Sequence, residues 1–275
     1  MTDKKQRTVL TTGANSGIGL ATAIGLAKAG FRSVGSVRSK AKAQQVAAAA
    51  KKAGATVETV LLEVTDAAAC ARVIDRLRPD GLVNNAGFGS VGAVEDVGDD
   101  EIRATLETMV IAPIRLARLA LPHMRERKYG RIVNVSSIYG FTSTPLSGWY
   151  QAAKHALEGV SDALRMEVAS AGIDVILVEP GGFKTSIWDE NERAVESRKG
   201  SRYEGAYRRS LASLKMAEPL MGDPETVARV ITKALKARRP QPRYLVGYDA
   251  RLLAAAEPII PTALRDLLSR WTLGL

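Results

Sequence analysis

The stretch RTVLTTGANSGIGLATAIGLAKAG, residues 7–30, decides the fold of this chain. RTVLTTG (7–13) reads as a β-strand running into a glycine turn, and IGLATAIGLAKAG (18–30) as a helix closed by Gly30. Between them stand Gly13, Gly17 and Gly19. Glycines there let the backbone turn sharply and come close to a pyrophosphate, while the helix start presents free N–H groups and its positive dipole end. A glycine triplet alone is weak evidence. One that follows the first strand and opens a helix is much stronger. A tight turn with no ligand is the blander alternative.

Outward from that unit, short β-branched runs alternate with Ala-rich helical patterns. FRSVGSV (31–37), TVETVLLEV (56–64), GLVNNAG (81–87), GRIVNVSS (130–137), IDVILVEPGG (173–182) and RYLVG (243–247) read as further strands. Helices are predicted over 40–54, 66–77, about 99–127, about 149–171 and 223–237, the last with Asp223 as N-cap and Pro224 at its first position. The strands are nearly continuously apolar, which marks strands covered on both faces. Repeating βαβ units predict an α/β fold: one doubly wound, Rossmann-type domain over 1–275, a seven-stranded parallel sheet flanked by helices. Residues 183–222 break the rhythm after a strand end, where open α/β sheets bind ligands. They read as a substrate lid of two short helices, or else as a solvated excursion. Residues 250–275 form an apolar, amphipathic tail.

Composition narrows the class. Of 275 residues, 46% are apolar, enough for a sizeable core. The single Cys70 excludes an internal disulfide and fits a reducing compartment. The polar start MTDKKQ lacks a leader's apolar run, and no segment approaches a membrane span, so a cytoplasmic location is expected. The net charge of +10 raises nucleic acid as a partner, yet the basic residues are dispersed among acids and no zinc-finger or aromatic RNA signature is visible. Nucleic acid is therefore not expected.

The second informative stretch is WYQAAKHALEG, residues 149–159. Tyr150 and Lys154 are i and i+4, neighbours on one helix face. An ammonium within a few ångströms favours a phenolate, so Lys154 is expected to lower Tyr150 from its ordinary value of about 10. Such a Tyr donates a proton to a carbonyl or takes one from an alcohol.

With TGxxxGxG at 12–19, NNAG at 84–87, Ser137, and Tyr150-x-x-x-Lys154, the chain resembles the short-chain dehydrogenase/reductase family in its single-domain branch. The resemblance implies a nicotinamide dinucleotide held by Gly13, Asn15, Ser16, Gly17, Ile18 and Gly19. It adds Glu63 and Val64 near the adenine, then Asn85, Ala86 and Gly87, with Asn84 to Gly87 closing the floor and supporting the sheet. PGGFKT (180–185) resembles the family's nicotinamide-side stretch and brings in Pro180, Gly181, Phe183 and Thr185. It further implies that Lys154 grips the nicotinamide ribose beside Tyr150, and that Ser137, 13 residues before Tyr150, orients the substrate oxygen. Ser136 is the competing candidate. The second strand ends in GSVRSKAK, where Arg38, Ser39 and Lys40 offer charge-assisted bonds to a 2′-phosphate, and no acid occurs in 31–50. NADP(H) is favoured and NAD(H) stays open.

One position departs from the family. Where its members commonly carry an Asn in the long helix, this chain has Met109. A thioether donates nothing, so the water relay that this Asn supports is rerouted, or turnover is reduced. Asn134 is not an obvious replacement. His123 and His155 lack partners at metal spacing and read as structural or surface residues, so no metal is expected.

Phe88, Phe141, Leu146, Trp149, Phe183, Trp188, Tyr203 and Tyr207 are the candidate pocket wall. Together with a C-terminal region similar to hydroxysteroid and retinol dehydrogenase-like groups, they point toward a lipophilic ketone or secondary alcohol. The tail's apolar face is open to packing a subunit interface or touching a membrane surface. The resemblance implies a homodimer or homotetramer through the helices at 99–127 and 149–171. The leading expectation is an NADP(H)-dependent carbonyl reductase. The alternative is a catalytically weak NADP(H)-binding sensor or scaffold.

Overall fold

The computed structural model describes residues 6–275; the polar residues 1–5, read above as lacking a leader, lie outside the described residues. Seven parallel strands run β1 (Thr8–Thr11), β2 (Arg32–Val37), β3 (Glu58–Leu61), β4 (Gly81–Asn84), β5 (Gly130–Val135), β6 (Ile173–Pro180) and β7 (Arg243–Val246). Their order across the sheet is β3-β2-β1-β4-β5-β6-β7. The order reverses at β1, so the crevice beyond the carboxyl ends of β1 and β4 is a topological switch point.

The continuous apolar strands are explained by what covers them. Successive residues point to opposite faces. Leu10, Val34, Leu82 and Ile132 pack on one side with Val73 and Ile74 of α3 (Ala67–Leu77) and Leu116 and Ala120 of α5 (Ala112–Glu126). Their neighbours Val9, Val83, Val133 and Ile176 pack on the other side with Leu26 of α1 (Gly17–Lys28) and Val227, Ile231 and Leu235 of α9 (Pro224–Lys236). Each such side chain, fully buried, contributes about 1.5–3 kcal/mol. β3 spans only Glu58–Leu61 of the expected 56–64; as the edge strand it leaves Leu61 50% exposed.

The helix expected over 99–127 is interrupted. α4 (Asp99–Leu106) passes into a π-helical turn, Glu107–Ile111, before α5. Pro113 lacks the N–H that would bond the carbonyl of Met109, and the Ala112 N–H reaches back five residues to Glu107. Glu107 and Arg115 pair across this wide turn at 2.7 Å.

Beneath it runs a buried polar chain. Asn84 Nδ2 donates to Asn134 Oδ1 (2.8 Å) and to the Pro113 carbonyl (3.2 Å), and Asn134 Nδ2 donates to Ser161 Oγ (2.8 Å) on α6 (Gly148–Val168). Asn134 therefore ties β4, β5 and α6 together rather than serving the site. Asn134→Leu removes two buried hydrogen bonds, leaving Asn84 Nδ2 with the Pro113 carbonyl and Ser161 Oγ with the Leu157 carbonyl, and is expected to cost about 1–3 kcal/mol at about 0.5–1.5 kcal/mol each; urea unfolding measures it.

After β6 come α7 (Ile187–Glu196) and α8 (Glu204–Ala217) over the carboxyl edge, then α10 (Tyr248–Ala256) and α11 (Thr262–Leu273) after β7. α11 docks on α8 through Leu273, whose carbonyl accepts from Arg209 Nη1 (2.8 Å). Its apolar stripe, Leu264, Leu267, Leu268 and Trp271, faces outward and is exposed. Among the described residues no helix is long and apolar enough to cross a membrane. α2 (Lys40–Lys52) completes the set.

Candidate active site

A cleft of about 1120 Å³ opens at the carboxyl ends of β1, β4, β5 and β6. Its floor is the glycine turn. Gly13 (φ +65°) and Gly17 (φ +51°) occupy the left-handed region, where a side chain is strained. A Cβ on Gly19 would stand 2.2 Å from the Gly13 carbonyl oxygen. Ser16 precedes α1 in extended conformation but gives no side-chain cap, and the first turn carries no acid. Its hydroxyl instead meets Ser186 Oγ at 3.2 Å. The first N–H groups of α1 are thus left for an anion in the cleft. Thr12, which the motif reading passed over, holds the floor together. Its hydroxyl accepts from the N–H groups of Asn85 (2.9 Å) and Ala86 (3.0 Å), while Asn85 Nδ2 donates to the Thr12 carbonyl (3.0 Å). Asn85, Ala86 and Gly87 face the cleft; Asn84 is turned into the protein, where it supports the sheet as described.

At the end of β2, Arg38 lines the cleft with Lys42, one helical turn farther on. Ser39 does not. Its hydroxyl caps α2, accepting from the Lys42 N–H at 3.3 Å, and Lys40 opens the helix outside the cleft. Ser is a strong N-cap former, and the capping geometry turns it away from a ligand. Lys42 was missed because only the helix phase brings it back beside Arg38. Glu63 and Val64 line the adjacent wall.

At the other end, Ser137, Tyr150 and Lys154 line the same cleft. Ser137 also accepts from the Tyr139 N–H at 3.2 Å, capping a 3-10 turn over Ile138–Gly140. Tyr139 stands edge-on to Tyr150 at 6.1 Å between ring centroids. Lys154 is 7% exposed, and its Nζ donates to the Val135 carbonyl at 2.9 Å, 5.6 Å from the Tyr150 ring centre. The expected acidification of Tyr150 is not found. Burial pushes Tyr150 up to about 12, with the nearby Ser137 hydroxyl pulling the other way. Burial also pushes Lys154 down to about 8, opposed by the Glu158 charge. The ammonium is turned toward a backbone carbonyl and contributes no visible relief to the phenolate, so desolvation wins. At neutral pH the hydroxyl is protonated and stands as a donor.

Met109, 1% exposed, sits in the π turn on the cleft wall, with its Cε 3.8 Å from where a Cβ on Gly87 would be. Pro180, Gly181, Phe183 and Thr185 line the same cleft. Asp249, not singled out from sequence, braces this turn: its Oδ2 accepts from the Gly182 N–H at 2.6 Å, and a Cβ on Gly181 would meet it at 2.1 Å.

Of the aromatic wall, Phe88, Phe183 and Trp188 line the cleft. Phe141 and Trp149 do not; the Trp149 indole donates to the Val94 carbonyl at 3.3 Å. Leu146, Tyr203 and Tyr207 form a separate core under α8. The Tyr207 hydroxyl accepts from the Ala93 N–H (2.6 Å) and donates to Asp96 (2.7 Å), which anchors the segment instead of facing substrate. Tyr139, Leu214, Leu220, Met221 and Tyr248 take their place on the cleft. His123 is buried with Nε2 3.1 Å from the Pro79 carbonyl, and His155 is exposed. Among the described residues no group of three or more His, Cys, Asp or Glu is placed to hold a metal.

A glycine turn at the switch point and a Tyr–Lys pair on α6 facing the same cleft define the class of protein, a doubly wound oxidoreductase. Residues 7–196 match the short chain dehydrogenase family, and the chain belongs to it. It is 35% identical over 266 residues to the uncharacterized oxidoreductase YusZ of Bacillus subtilis, covering 93% of this chain and 94% of that protein. It is 31% identical to a 3-ketodihydrosphingosine reductase of Bacteroides thetaiotaomicron, covering 90% of each. A short-chain dehydrogenase from Streptomyces avermitilis superimposes with a TM-score of 0.79 at 33% identity, covering 98% of this chain and 97% of that one. An actinorhodin polyketide ketoreductase with NADPH does so at 0.74 and 29% identity, over 90% of this chain and 98% of the other.

Proposed function

We propose that this chain is an NADP(H)-dependent carbonyl reductase or alcohol dehydrogenase acting on a lipophilic ketone or secondary alcohol. The observation that carries the reading is that Ser137, Tyr150 and Lys154 line one cleft with an uncapped helix N-terminus and two cations. The bound dinucleotide supplies the hydride. The glycine turn would hold its pyrophosphate, Arg38 and Lys42 would take the 2′-phosphate, and Lys154 would hold the ribose. Tyr150 donates the proton to the substrate oxygen, which Ser137 orients. The NADPH complex of the actinorhodin ketoreductase and the lipid substrate named for the Bacteroides relative support the cofactor and the substrate class.

In this reading 1–275 is one dinucleotide-binding domain, with residues 183–222 as its lid. Exposed Ile111 and Met166, on the helical faces expected to meet a second copy, support a homodimer or homotetramer. The alternative, a binder with little turnover, rests on Met109. NADPH consumption across aryl, steroid and aliphatic ketones separates the two: turnover on any of them supports the reductase, and tight NADPH binding without turnover supports the binder.

Arg38→Glu tests the cofactor assignment. A charge-assisted hydrogen bond contributes about 1.5–3 kcal/mol, and replacing it with repulsion is expected to shift kcat/KM from NADPH toward NADH by about 100-fold or more. An unchanged ratio would place the 2′-phosphate elsewhere.

A further inference from the structure

Behind the Tyr–Lys wall lies a polar cluster with no part in the reaction so far. Tyr150, Lys154 and Glu158 occupy successive turns of one face of α6. Glu158 is 8% exposed, and Glu179 on β6 is 3% exposed. One guanidinium serves both. Arg243 on β7 donates from Nη2 to Glu158 Oε2 at 3.1 Å, and its Nε lies 3.2 Å from Glu179 Oε1. The same Nη2 reaches Asp162 Oδ2 at 2.6 Å, and Arg165 pairs with Asp162 from the helix side. Ser136 turns into this space as well. A Cβ on Gly140 would stand 2.7 Å from Ser136 Oγ and 3.0 Å from Glu158 Oε1. Both oxygens are buried without a hydrogen-bond partner among the described residues. The cluster adjoins the cleft: Ser136 lines it, Lys154 is one turn before Glu158 on α6, and Pro180 follows Glu179.

Two buried carboxyl groups facing one guanidinium cannot both ionise cheaply, because removing a carboxylate from water costs several kcal/mol unless it is paired. We infer that Glu158 and Glu179 hold one proton between them, clamped by Arg243, and that this pair reloads Lys154 and through it Tyr150, standing in for the amide relay that Met109 lacks. The inference rests on the reading of Tyr150 and Lys154 given above. In the reduction, for which a bound dinucleotide would supply the hydride, the carbonyl oxygen takes the Tyr150 proton. The Tyr150 oxygen regains a proton from the Lys154 ammonium, and the resulting amine takes the one held by the carboxyl pair, each through intervening water, because Lys154 Nζ bonds the Val135 carbonyl and lies 5.6 Å from the Tyr150 ring centre. Water resupplies the pair at its outer end, where the Arg243 and Asp162 side chains are 39% and 33% exposed. One solvent proton is consumed for each carbonyl reduced. Glu158 and Glu179 are positioning residues here, acting through Lys154.

Burial, then the Glu158 charge, push Glu179 up to about 7, and burial raises Glu158 as well. The folded chain therefore keeps a proton that the unfolded chain releases above the ordinary value of 4.5. The stability this proton contributes is full below pH 4.5 and is lost as the pH rises through about 7.

The test compares Glu179→Gln and Glu158→Gln with the unaltered protein. In the free protein, infrared pH titration should show a protonated-carboxyl band titrating near pH 7, absent from Glu179→Gln, and the decline in melting temperature across that range should vanish with it. With NADPH and a ketone, kcat in either variant should fall about tenfold, short of the full loss of a general acid, with KM and NADPH Kd unchanged. The solvent isotope effect on kcat should rise, and Glu158→Asp should recover part of the loss. An infrared titration and kcat profile identical in all variants would overturn the inference. Failure of the active-site reading itself looks different: Tyr150→Phe would remain active whatever the carboxyl pair does.

Discussion

Tyr150→Phe is expected to lower NADPH-linked ketone reduction by about 10³-fold, within the range for removing a positioned general acid. The substitution deletes one oxygen and leaves the ring. The edge-on packing against Tyr139, at 6.1 Å between centroids, survives, as does the contact of Lys154 with the Val135 carbonyl. Melting temperature and NADPH affinity should therefore stay close to those of the parent, and the loss should fall on kcat. The direction of the Tyr150 shift sharpens this expectation. A hydroxyl pushed up to about 12 is protonated throughout the neutral range, so in the reductive direction the acid is fully loaded. In the oxidative direction the same group must lose a proton that burial holds, so alcohol oxidation should need more alkaline solution. Stopped-flow NADPH oxidation with a responsive ketone measures the first effect. Activity retained within tenfold would remove Tyr150 from the chemistry.

Gly19→Ala is the second large effect. The new methyl would sit 2.2 Å from the Gly13 carbonyl oxygen and 2.5 Å from Asn85 Nδ2. The first contact is backbone, so the turn must open. Opening it moves the N–H groups at the start of α1 and strains the bonds from Asn85 to the Thr12 and Gly13 carbonyls. Losing two hydrogen bonds to charged phosphate, at about 1.5–3 kcal/mol each, corresponds to a loss of affinity of about 10²–10⁴-fold. The loss should be equal for NADPH and NADH, because the pyrophosphate is common to both. This distinguishes it from Arg38→Glu, which separates the two. Fluorescence titration with each dinucleotide measures it, and unimpaired binding of both would show that the phosphates lie elsewhere.

The neighbourhood of Arg38 shows where local reading stops. Ser39 and Lys40 adjoin it in sequence, and adjacency alone groups them with it. Whether a side chain at a helix start caps the helix or faces a ligand depends on the direction in which the helix leaves the strand. Here Ser39 caps, and Lys42 returns to the cleft one turn later. The lid shows the same limit more strongly. Tyr203 and Tyr207 have the composition of a pocket wall, but the Tyr207 hydroxyl is held by Ala93 and Asp96, more than 100 residues away in sequence. Thr12 was passed over because a threonine before a glycine turn has no distinctive chemistry until Asn85 and Ala86 are brought against it.

By itself the sequence determined the doubly wound parallel sheet, the glycine turn at its switch point, and the placing of Tyr150 and Lys154 on one helix face. These follow from short-range rules: strand and helix periodicity, the freedom of glycine, and the i,i+4 spacing. Tertiary structure alone decided the proton energetics. Spacing predicts that a nearby ammonium makes Tyr150 more acidic, but burial of the pair and the turn of Lys154 toward Val135 reverse the sign. The pairing of Glu158 with Glu179 under Arg243 is likewise set by the adjacency of α6, β6 and β7. Desolvation and charge pairing depend on which distant segments exclude water from a group, and that is a property of the packed chain.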